Sequence, residues 1–330
     1  MLQKINIQNW NLENGSTINN ISVFYQTFGQ QLGTSPVVLV NHALTGNSNV
    51  AGKNGWWNDL IGKNKTVDTD FFTVLAINIP GNGFDQNPEN LIENYKDFTI
   101  RDIANVYWKT IFELNIQELF SVIGGSLGGA IAWEMAVLQP NKIENLIPIA
   151  SDYKATDWMI ANVHLQDNIL NNSKNPINDA RAHAMLLYRT PQSINHRFDR
   201  KQTANNAFAI ENWLVYHGES LKNRFTLSAY KLMNHLLKTN DITRDRNNFP
   251  VAANEIQANI FIIAVETDLF FTPDENIKSF NELKKIKQNI FYHEIKSIHG
   301  HDAFLIEFEQ LSSILNPIFN KIKTLNYVKN

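Results

Sequence analysis

The sequence has 330 residues, of which 43% are hydrophobic and 18% are charged, and its formal net charge is −3. These values are ordinary for a folded globular protein, and so small a negative charge offers no basic surface to nucleic acid. The absence of cysteine excludes disulfides, thiolate nucleophiles and cysteine-ligated metals. We therefore expect no nucleic-acid partner, and any nucleophilic chemistry falls to serine, threonine, aspartate, glutamate or lysine.

The sequence also shows neither a membrane span nor a secretion signal. No stretch of 18 consecutive apolar residues is present, and residues 1–15 alternate polar and apolar side chains. We expect a cytoplasmic protein without membrane association.

The first half of the chain alternates short β-rich runs with helical patterns. Residues 3–11 and 20–28 flank an Asn14-Gly15 turn and predict two strands of a hairpin or meander. Four later runs are apolar throughout, as in strands buried on both faces: 36–44, 71–79, 119–125 and 144–151. Apolar residues recur at helical spacing over 100–114 and 128–139. The alternation predicts a mostly parallel central sheet flanked by helices.

The second half begins with a stretch without β-runs. Residues 155–249 predict at least three helices, over 178–189, 203–218 and 219–238. The β-pattern resumes at 259–266 and 289–295, with helices near 275–287 and 304–319. The sequence therefore predicts an α/β core formed by residues 1–154 and 250–330, interrupted by an all-helical lid over residues 155–249.

A glycine-flanked serine lies between the predicted strand 119–125 and the helix that follows it. Residues 124–128, GGSLG, fit the G-x-S-x-G pattern, in which a strained strand-to-helix turn exposes the hydroxyl of Ser126 above the sheet edge. Side chains at Gly124 and Gly128 would collide with the neighbouring strand and helix. The alternative is a turn used for packing or phosphate binding, but the Walker lysine is absent and G-x-G-x-x-G is not matched.

A serine nucleophile needs a base and a group that orients the base, and in this fold the acid precedes the histidine along the chain. Asp268 follows the predicted strand 259–266, and His301 follows the strand 289–295. Adjacent strand ends would bring both side chains beside Ser126. We favour Asp268 as the acid over Glu266 and Asp274.

His299 lies two residues before His301, so an alternative interpretation is that the two histidines bind a metal. A His-x-His pair can bind a metal, but no third ligand with suitable spacing stands nearby, so we expect no metal site.

Acyl transfer also requires donors for an oxyanion. The first would be the backbone N–H of Leu127, directly after the serine. The second would come from the loop after the strand 36–40, at Leu44 or Ala43. We interpret His42 as a brace for this loop and not as a catalytic group.

Several motifs together resemble the homoserine O-acetyltransferase family of α/β-hydrolase-fold enzymes. They are NHALTGNSNVAG (41–52), TIRD (99–102), VIGGSLGG (122–129), FAIENWLVYHG (208–218), RFTLSAY (224–230) and GHDAFL (300–305). The match runs over most of the chain, and HALTG together with GHDAFL is far more specific than G-x-S-x-G.

The resemblance implies that Ser126 accepts the acyl group, that His301 acts as base and acid, and that Asp268 is the partner of His301. It also implies substrate-binding roles, for Arg224 and Tyr230 in the lid and for Asp302 beside the catalytic histidine. These types suit homoserine, since an arginine can hold its carboxylate and a carboxylate can accept its ammonium.

The implied reaction is ping-pong acetyl transfer from acetyl-CoA to L-homoserine, a step of methionine biosynthesis. Acetyl-CoA is then a co-substrate, and no bound cofactor is expected. The resemblance also implies a homodimer formed through the helical insertion.

One segment departs from the family pattern. Many members carry a longer glycine- and proline-rich segment where this chain has residues 80–98, and that segment helps to form the acyl pocket. The donor, acetyl or succinyl, therefore stays open. Two other readings are a serine esterase or thioesterase with the same triad, and a non-catalytic binding protein with this fold.

Overall fold

A computed structural model of the chain describes residues 1–204 and 206–327. Residue 205, in the helix predicted over 203–218, and residues 328–330, at the end of the predicted core, lie outside the described residues. Among the helices described, none combines the length and the apolar character that crossing a bilayer demands.

The central sheet contains eight strands, and two further strands of two residues form a separate pair. The ten are β1 (Gln3–Asn11), β2 (Thr17–Gly29), β3 (Val37–Asn41), β4 (Ile61–Gly62), β5 (Val67–Asp68), β6 (Thr73–Ile77), β7 (Leu119–Gly125), β8 (Ile143–Ile149), β9 (Asn259–Val265) and β10 (Ile290–Ile295). The sheet order is β1-β2-β6-β3-β7-β8-β9-β10. Only the pairs β1–β2 and β2–β6 are antiparallel. The predicted opening hairpin and mostly parallel sheet are both present.

Ten α-helices accompany the strands in the described residues. They are α1 (Ile100–Glu113), α2 (Leu127–Leu138), α3 (Asp157–Asn172), α4 (Pro176–Tyr188), α5 (Pro191–Phe198), α6 (Ala209–Lys222), α7 (Leu227–Lys238), α8 (Phe249–Asn254), α9 (Pro273–Lys284) and α10 (Phe308–Tyr327). The segment from α3 to α8, between β8 and β9, contains six of them and is called the helical segment below.

Three of the helix boundaries predicted in the helical segment are wrong. A break was expected at Gly218, but α6 continues to Lys222, because Gly218 serves close packing against Asn178 of α4 and does not end the helix. Helix α7 begins only at Leu227, after Thr226 caps it by accepting from the amide of Ala229. The start predicted at residue 203 is also wrong, since α6 begins at Ala209.

The sheet separates two layers of core. All residues of β3, β6 and β7 are buried, and successive side chains point to opposite faces. Leu39 of β3 packs in the cluster that includes α1 and α2. Val38 and Val40 pack in the other cluster, with Trp57 and the side chains of α10. Burial on both faces explains why these strands are mostly apolar, and their parallel pairing aligns their carboxyl ends along one edge of the sheet.

An ionic network fixes α2 to the helical segment. Glu134 of α2 is buried and accepts from the Nε of Arg101 in α1 at 2.7 Å. It also pairs with Arg246, which precedes α8, at 2.8 Å. A buried carboxylate is tolerated only where it is paired in this way. The network holds the helix that begins next to Ser126 against both neighbours.

Candidate active site

Ser126 occupies a strained corner between β7 and α2. Its backbone has φ 56° and ψ −125°, a conformation that residues with side chains rarely adopt. The amide of Ser126 donates to the carbonyl of Ile149 in β8 at 2.9 Å, and its carbonyl accepts from Gly129 and Ala130. Hydrogen bonds to the next strand and to the following helix therefore hold the strained conformation that the motif predicts.

The glycines on either side leave no room for a side chain. A Cβ at Gly124 would lie 2.4 Å from the backbone of Gly128 in α2. A Cβ at Gly128 would lie 2.3 Å from the carbonyl oxygen of Asn41 at the end of β3. The predicted steric requirement is present, and it brings the start of α2 against the loop that follows β3.

A chain of hydrogen bonds leads from Ser126 to the loops after β9 and β10. The Nε2 of His301 lies 2.9 Å from the Oγ of Ser126, and its Nδ1 lies 2.7 Å from the Oδ2 of Asp268. The other carboxylate oxygen of Asp268 accepts from the amides of Phe270 at 2.7 Å and Phe271 at 2.9 Å. The acid is thus held by its own loop and directed at the imidazole.

The two other acids considered from the sequence lie elsewhere. Glu266 is exposed and pairs with Lys296 at 3.4 Å, and Asp274 is exposed in the first turn of α9. Neither forms a hydrogen bond with His301 among the described contacts. Within the residues that the structure describes, no three histidine or acidic side chains cluster closely enough to hold a metal ion.

Aromatic rings surround the imidazole of His301. The ring centroids of Tyr188, Phe270, Phe271 and Phe304 lie 5.3 to 5.7 Å from the imidazole centroid. Tyr188 comes from α4, so the helical segment contributes directly to this enclosure. Burial raises the pKa of the Tyr188 phenol to about 12, which keeps it neutral. The arrangement keeps bulk water away from the base.

The candidate oxyanion donors lie at the start of α2 and in the loop after β3. Leu127 is the first residue of α2, so its amide has no carbonyl partner within the helix. Across from it, the carbonyl of Ala43 accepts from the amide of Gly46 at 2.8 Å and closes a tight turn around Leu44. The contact between Gly128 and Asn41 brings the two segments together.

His42 holds this loop from behind, in the bracing position that the sequence predicts. Its Nε2 accepts from the amide of Ile79 at 3.0 Å, and its Nδ1 lies 2.8 Å from the carbonyl of Ala43. Those partners assign the proton to Nδ1. Burial lowers the pKa of His42 to about 4, so the imidazole stays neutral.

The three residues expected to bind substrate lie on different elements. Arg224 lies in the loop between α6 and α7, and its Nη1 donates to the carbonyl of Thr45, beside the oxyanion loop, at 2.8 Å. Tyr230 is buried in α7, and burial raises its phenol pKa well above the ordinary value. Asp302 directly follows His301.

Asp302 is a carboxylate without a hydrogen-bond donor among the described residues. Its side chain is 20% exposed, and its closest cationic contact is the Nη1 of Arg189 at 4.0 Å. Burial raises the pKa of Asp302, while the charges of Arg181, His301 and Arg189 oppose that rise. A partly buried, cation-flanked carboxylate that lacks a donor is suited to receive one from a ligand.

A cavity of 460 Å³ lies between the loops near residues 46–47 and 82–91 and the segment 222–226. Arg224 lines it, as do Asn82 and Phe225, whereas Ser126 does not. The cavity adjoins the loop after β3 at Gly46.

Two arginines of the site were missed in the sequence. The guanidinium of Arg181 lies 5.5 Å from the ring centroid of Tyr188, and Arg189 approaches Asp302. Residues 181 and 188 are seven apart, so they share one face of α4. The seven-residue spacing can be read from the sequence, but nothing in the sequence indicates that this face of α4 points to Ser126, Asp268 and His301.

Comparison with known proteins agrees with this geometry. A family model of the alpha/beta hydrolase fold matches residues 36–307. A homoserine O-acetyltransferase from Cyclobacterium marinum is 34% identical over 329 residues, covering 93% of this chain and 92% of that protein. The chain belongs to the homoserine O-acetyltransferase family, within the α/β-hydrolase fold.

Solved structures match over nearly the whole chain. The crystal structure of homoserine O-acetyltransferase from Bacillus anthracis has a TM-score of 0.87 at 21% identity and 97% coverage of both chains. An acetylester hydrolase from Corynebacterium glutamicum has a TM-score of 0.81 at 18% identity, covering 97% of this chain and 96% of its own. At these identities the likeness concerns the fold, which both a transferase and a hydrolase use.

The geometry around Asp268 generates a test. In Asp268→Asn, the amide oxygen would keep the bonds from the Phe270 and Phe271 amides, so its NH₂ would face the Nδ1 of His301. That nitrogen would then have to accept, and the proton would move to Nε2, which could no longer accept from Ser126. We expect the first-turnover release of p-nitrophenol from p-nitrophenyl acetate to slow by about 10⁴-fold, the size of this effect in a serine protease.

Asp274→Asn is the matched control, because Asp274 is exposed and contacts neither His301 nor Ser126. Its rate should equal that of the unchanged protein. Equal rates for the two variants would show that Asp268 does not serve as the acid.

Proposed function

We propose that the chain transfers an acetyl group from acetyl-CoA to the hydroxyl of L-homoserine, through an acetyl ester on Ser126. The observation that carries this proposal is the carboxylate of Asp302 directly beside the base, which accepts no hydrogen bond among the described residues. A hydrolase needs only water as the acceptor, whereas a carboxylate without a donor offers a site for the ammonium of an amino-acid alcohol.

In the first half-reaction, the Nε2 of His301 takes the proton of Ser126 as the Oγ attacks the thioester carbonyl. The N–H of Leu127 and an N–H of the loop after β3, at Leu44 or Ala43, stabilise the oxyanion. Collapse of the intermediate expels CoA, whose sulfur receives the proton from His301. Asp268 orients the imidazole and stabilises its charged form.

In the second half-reaction, His301 takes the proton of the homoserine hydroxyl, which attacks the acetyl ester. As the tetrahedral intermediate collapses, His301 returns the proton to the Oγ of Ser126, and O-acetyl-L-homoserine is released. We assign the ammonium of homoserine to Asp302 and its carboxylate to Arg224, with the neutral phenol of Tyr230 beside them. The reaction requires no bound cofactor.

We propose that the helical segment acts as the lid predicted over residues 155–249. Transfer to homoserine is faster than hydrolysis only if water is excluded from the acetyl ester on Ser126. Tyr188 packs against His301, and the Nε1 of Trp158 donates to the carbonyl of Leu269 in the acid loop at 2.7 Å. Both contacts hold helices of the segment over the base and its partner.

The direct test is release of free thiol from acetyl-CoA, with and without L-homoserine. We expect steady turnover only with homoserine, saturable in it, and none in Ser126→Ala. Asp302→Asn should raise the KM for homoserine while leaving the acetylation of Ser126 by p-nitrophenyl acetate unchanged, because only the acceptor uses Asp302. Thiol release from succinyl-CoA, compared with that from acetyl-CoA, determines which acyl donor the protein uses. Thiol release that ignores homoserine would instead identify a thioesterase.

We also propose that the chain forms a homodimer through the helical segment. Among the described residues, that segment exposes seven large apolar side chains that an interface between two copies would bury: Trp158, Ile160, Leu165, Leu186, Val215, Tyr216 and Val251. Analytical ultracentrifugation should find a dimer that Tyr216→Lys weakens, and a monomer at all concentrations would contradict this. The expected cytoplasmic location stays a prediction.

A further inference from the structure

The turn between α4 and α5 contacts the loop that carries His301. The hydroxyl of Thr190 donates to the carbonyl of Ile298. A Cβ at Gly300 would lie only 2.9 Å from the carbonyl oxygen of Tyr188, so the two backbones approach closely. The helical segment therefore packs against the chain immediately before the base.

Arg189, at the end of α4, makes the polar centre of this contact. Its Nη2 donates to the Oγ of Ser193 at 2.8 Å and to the Nδ1 of His299 at 2.9 Å. The Oγ of Ser193 lies 2.9 Å from the same imidazole nitrogen. The side chain of Arg189 is 11% exposed, and His299 is partly buried. One arginine thus joins α5 to the loop two residues before His301.

These contacts fix the protonation state of His299. A guanidinium carries donors only, so the Nδ1 facing Arg189 must be an unprotonated acceptor. Burial and the charge of Arg189 both lower the pKa of His299, in agreement with a neutral ring at neutral pH. The other groups around it are His196 and Ser193 from the helical segment and Asp302 and Glu307 from the other side.

The same guanidinium faces the carboxylate proposed to bind the acceptor. Its Nη1 lies 4.0 Å from the Oδ2 of Asp302, too far for a hydrogen bond but close enough to favour the ionised carboxylate. The oxygens of Asp302 are thereby left available to an ammonium ligand.

We propose that Arg189 is a positioning residue for acyl transfer: by binding the neutral imidazole of His299, it fixes the loop of His301 in register with Ser126. This inference rests on the proposed function only for the identity of the substrates. The role of Arg189 is tested by the first step, acetylation of Ser126, for which any activated ester can be used. The helical segment then helps to position His301 in the triad, in addition to excluding water.

A pH dependence follows from the neutral ring. As the pH falls through the lowered pKa of His299, protonation places a proton on Nδ1 opposite the donors of Arg189, and the contact is lost. Acetylation should therefore decline at acidic pH in a way that depends on His299.

The test measures the acetylation rate of Ser126 by p-nitrophenyl acetate, with active sites counted by titration with a serine-directed phosphonate. Arg189→Met and His299→Leu should each lower the rate per active site by about 10- to 100-fold, as a misplaced base does. The double variant should lose no more than the worse single one, since both remove the same contact.

His299→Asn supplies a rescue, because its Oδ1 can accept from Arg189 where Nδ1 did but does not titrate. It should restore the rate per site and remove the part of the acid decline that belongs to His299. Arg200→Met is the control: this arginine of the helical segment stacks on the ring of Phe208 and contacts no loop of the triad. It should leave the rate unchanged.

Three results would overturn the proposal: unchanged rates per site in Arg189→Met, additive losses in the double variant, or an unaltered acid profile in His299→Asn. A variant that merely misfolds loses titratable sites and not rate per site, so it is recognised at once. If homoserine proves not to be the acceptor, the acetylation rates still decide the role of Arg189.

Discussion

The strained backbone of Ser126 is the constraint on which the rest of the site depends. A residue held at φ 56° and ψ −125° costs about 1–3 kcal/mol, which the surrounding structure must supply. The hydrogen bond to Ile149, the close approach of Gly124 and Gly128, and the burial of β7 on both faces supply it. Because the corner cannot relax, the Oγ has one position, and the later loops need only reach that position.

Two parallel strands on one side of β7 bring the partners there. Neighbouring parallel strands end at the same sheet edge, so the loops after β9 and β10 meet although Asp268 and His301 are 33 residues apart. The acid uses one oxygen for its own loop and one for the imidazole. Aromatic rings then enclose the imidazole, and Tyr188 shows that this enclosure is completed by the helical segment. Ser126, Asp268 and His301 are all buried by this packing.

The sequence was informative where local chemistry and periodicity determine the outcome. The parallel strands, the G-x-S-x-G corner and the order of acid and histidine all depend on short-range patterns, and the structure contains them. The helix end predicted at Gly218 was wrong because glycine ends some helices but lets others pack closely against a neighbour. Only the position of Asn178 in α4, beside Gly218, distinguishes the two cases. Arg189 was missed because its hydrogen-bond partner, His299, lies 110 residues away in the sequence. Contacts between the helical segment and the catalytic loops have no local signature.

The central claim is that Ser126 carries the acyl group and passes it to an amino-acid alcohol. Rapid-quench mass spectrometry of the intact protein mixed with acetyl-CoA tests it most directly. Without homoserine, we expect a single acetyl adduct, mapped to Ser126, that persists because water is excluded. Added L-homoserine should discharge the adduct at a rate that rises with its concentration and yields O-acetyl-L-homoserine. An adduct that decays at the same rate with and without homoserine, or no adduct at all, would contradict the account.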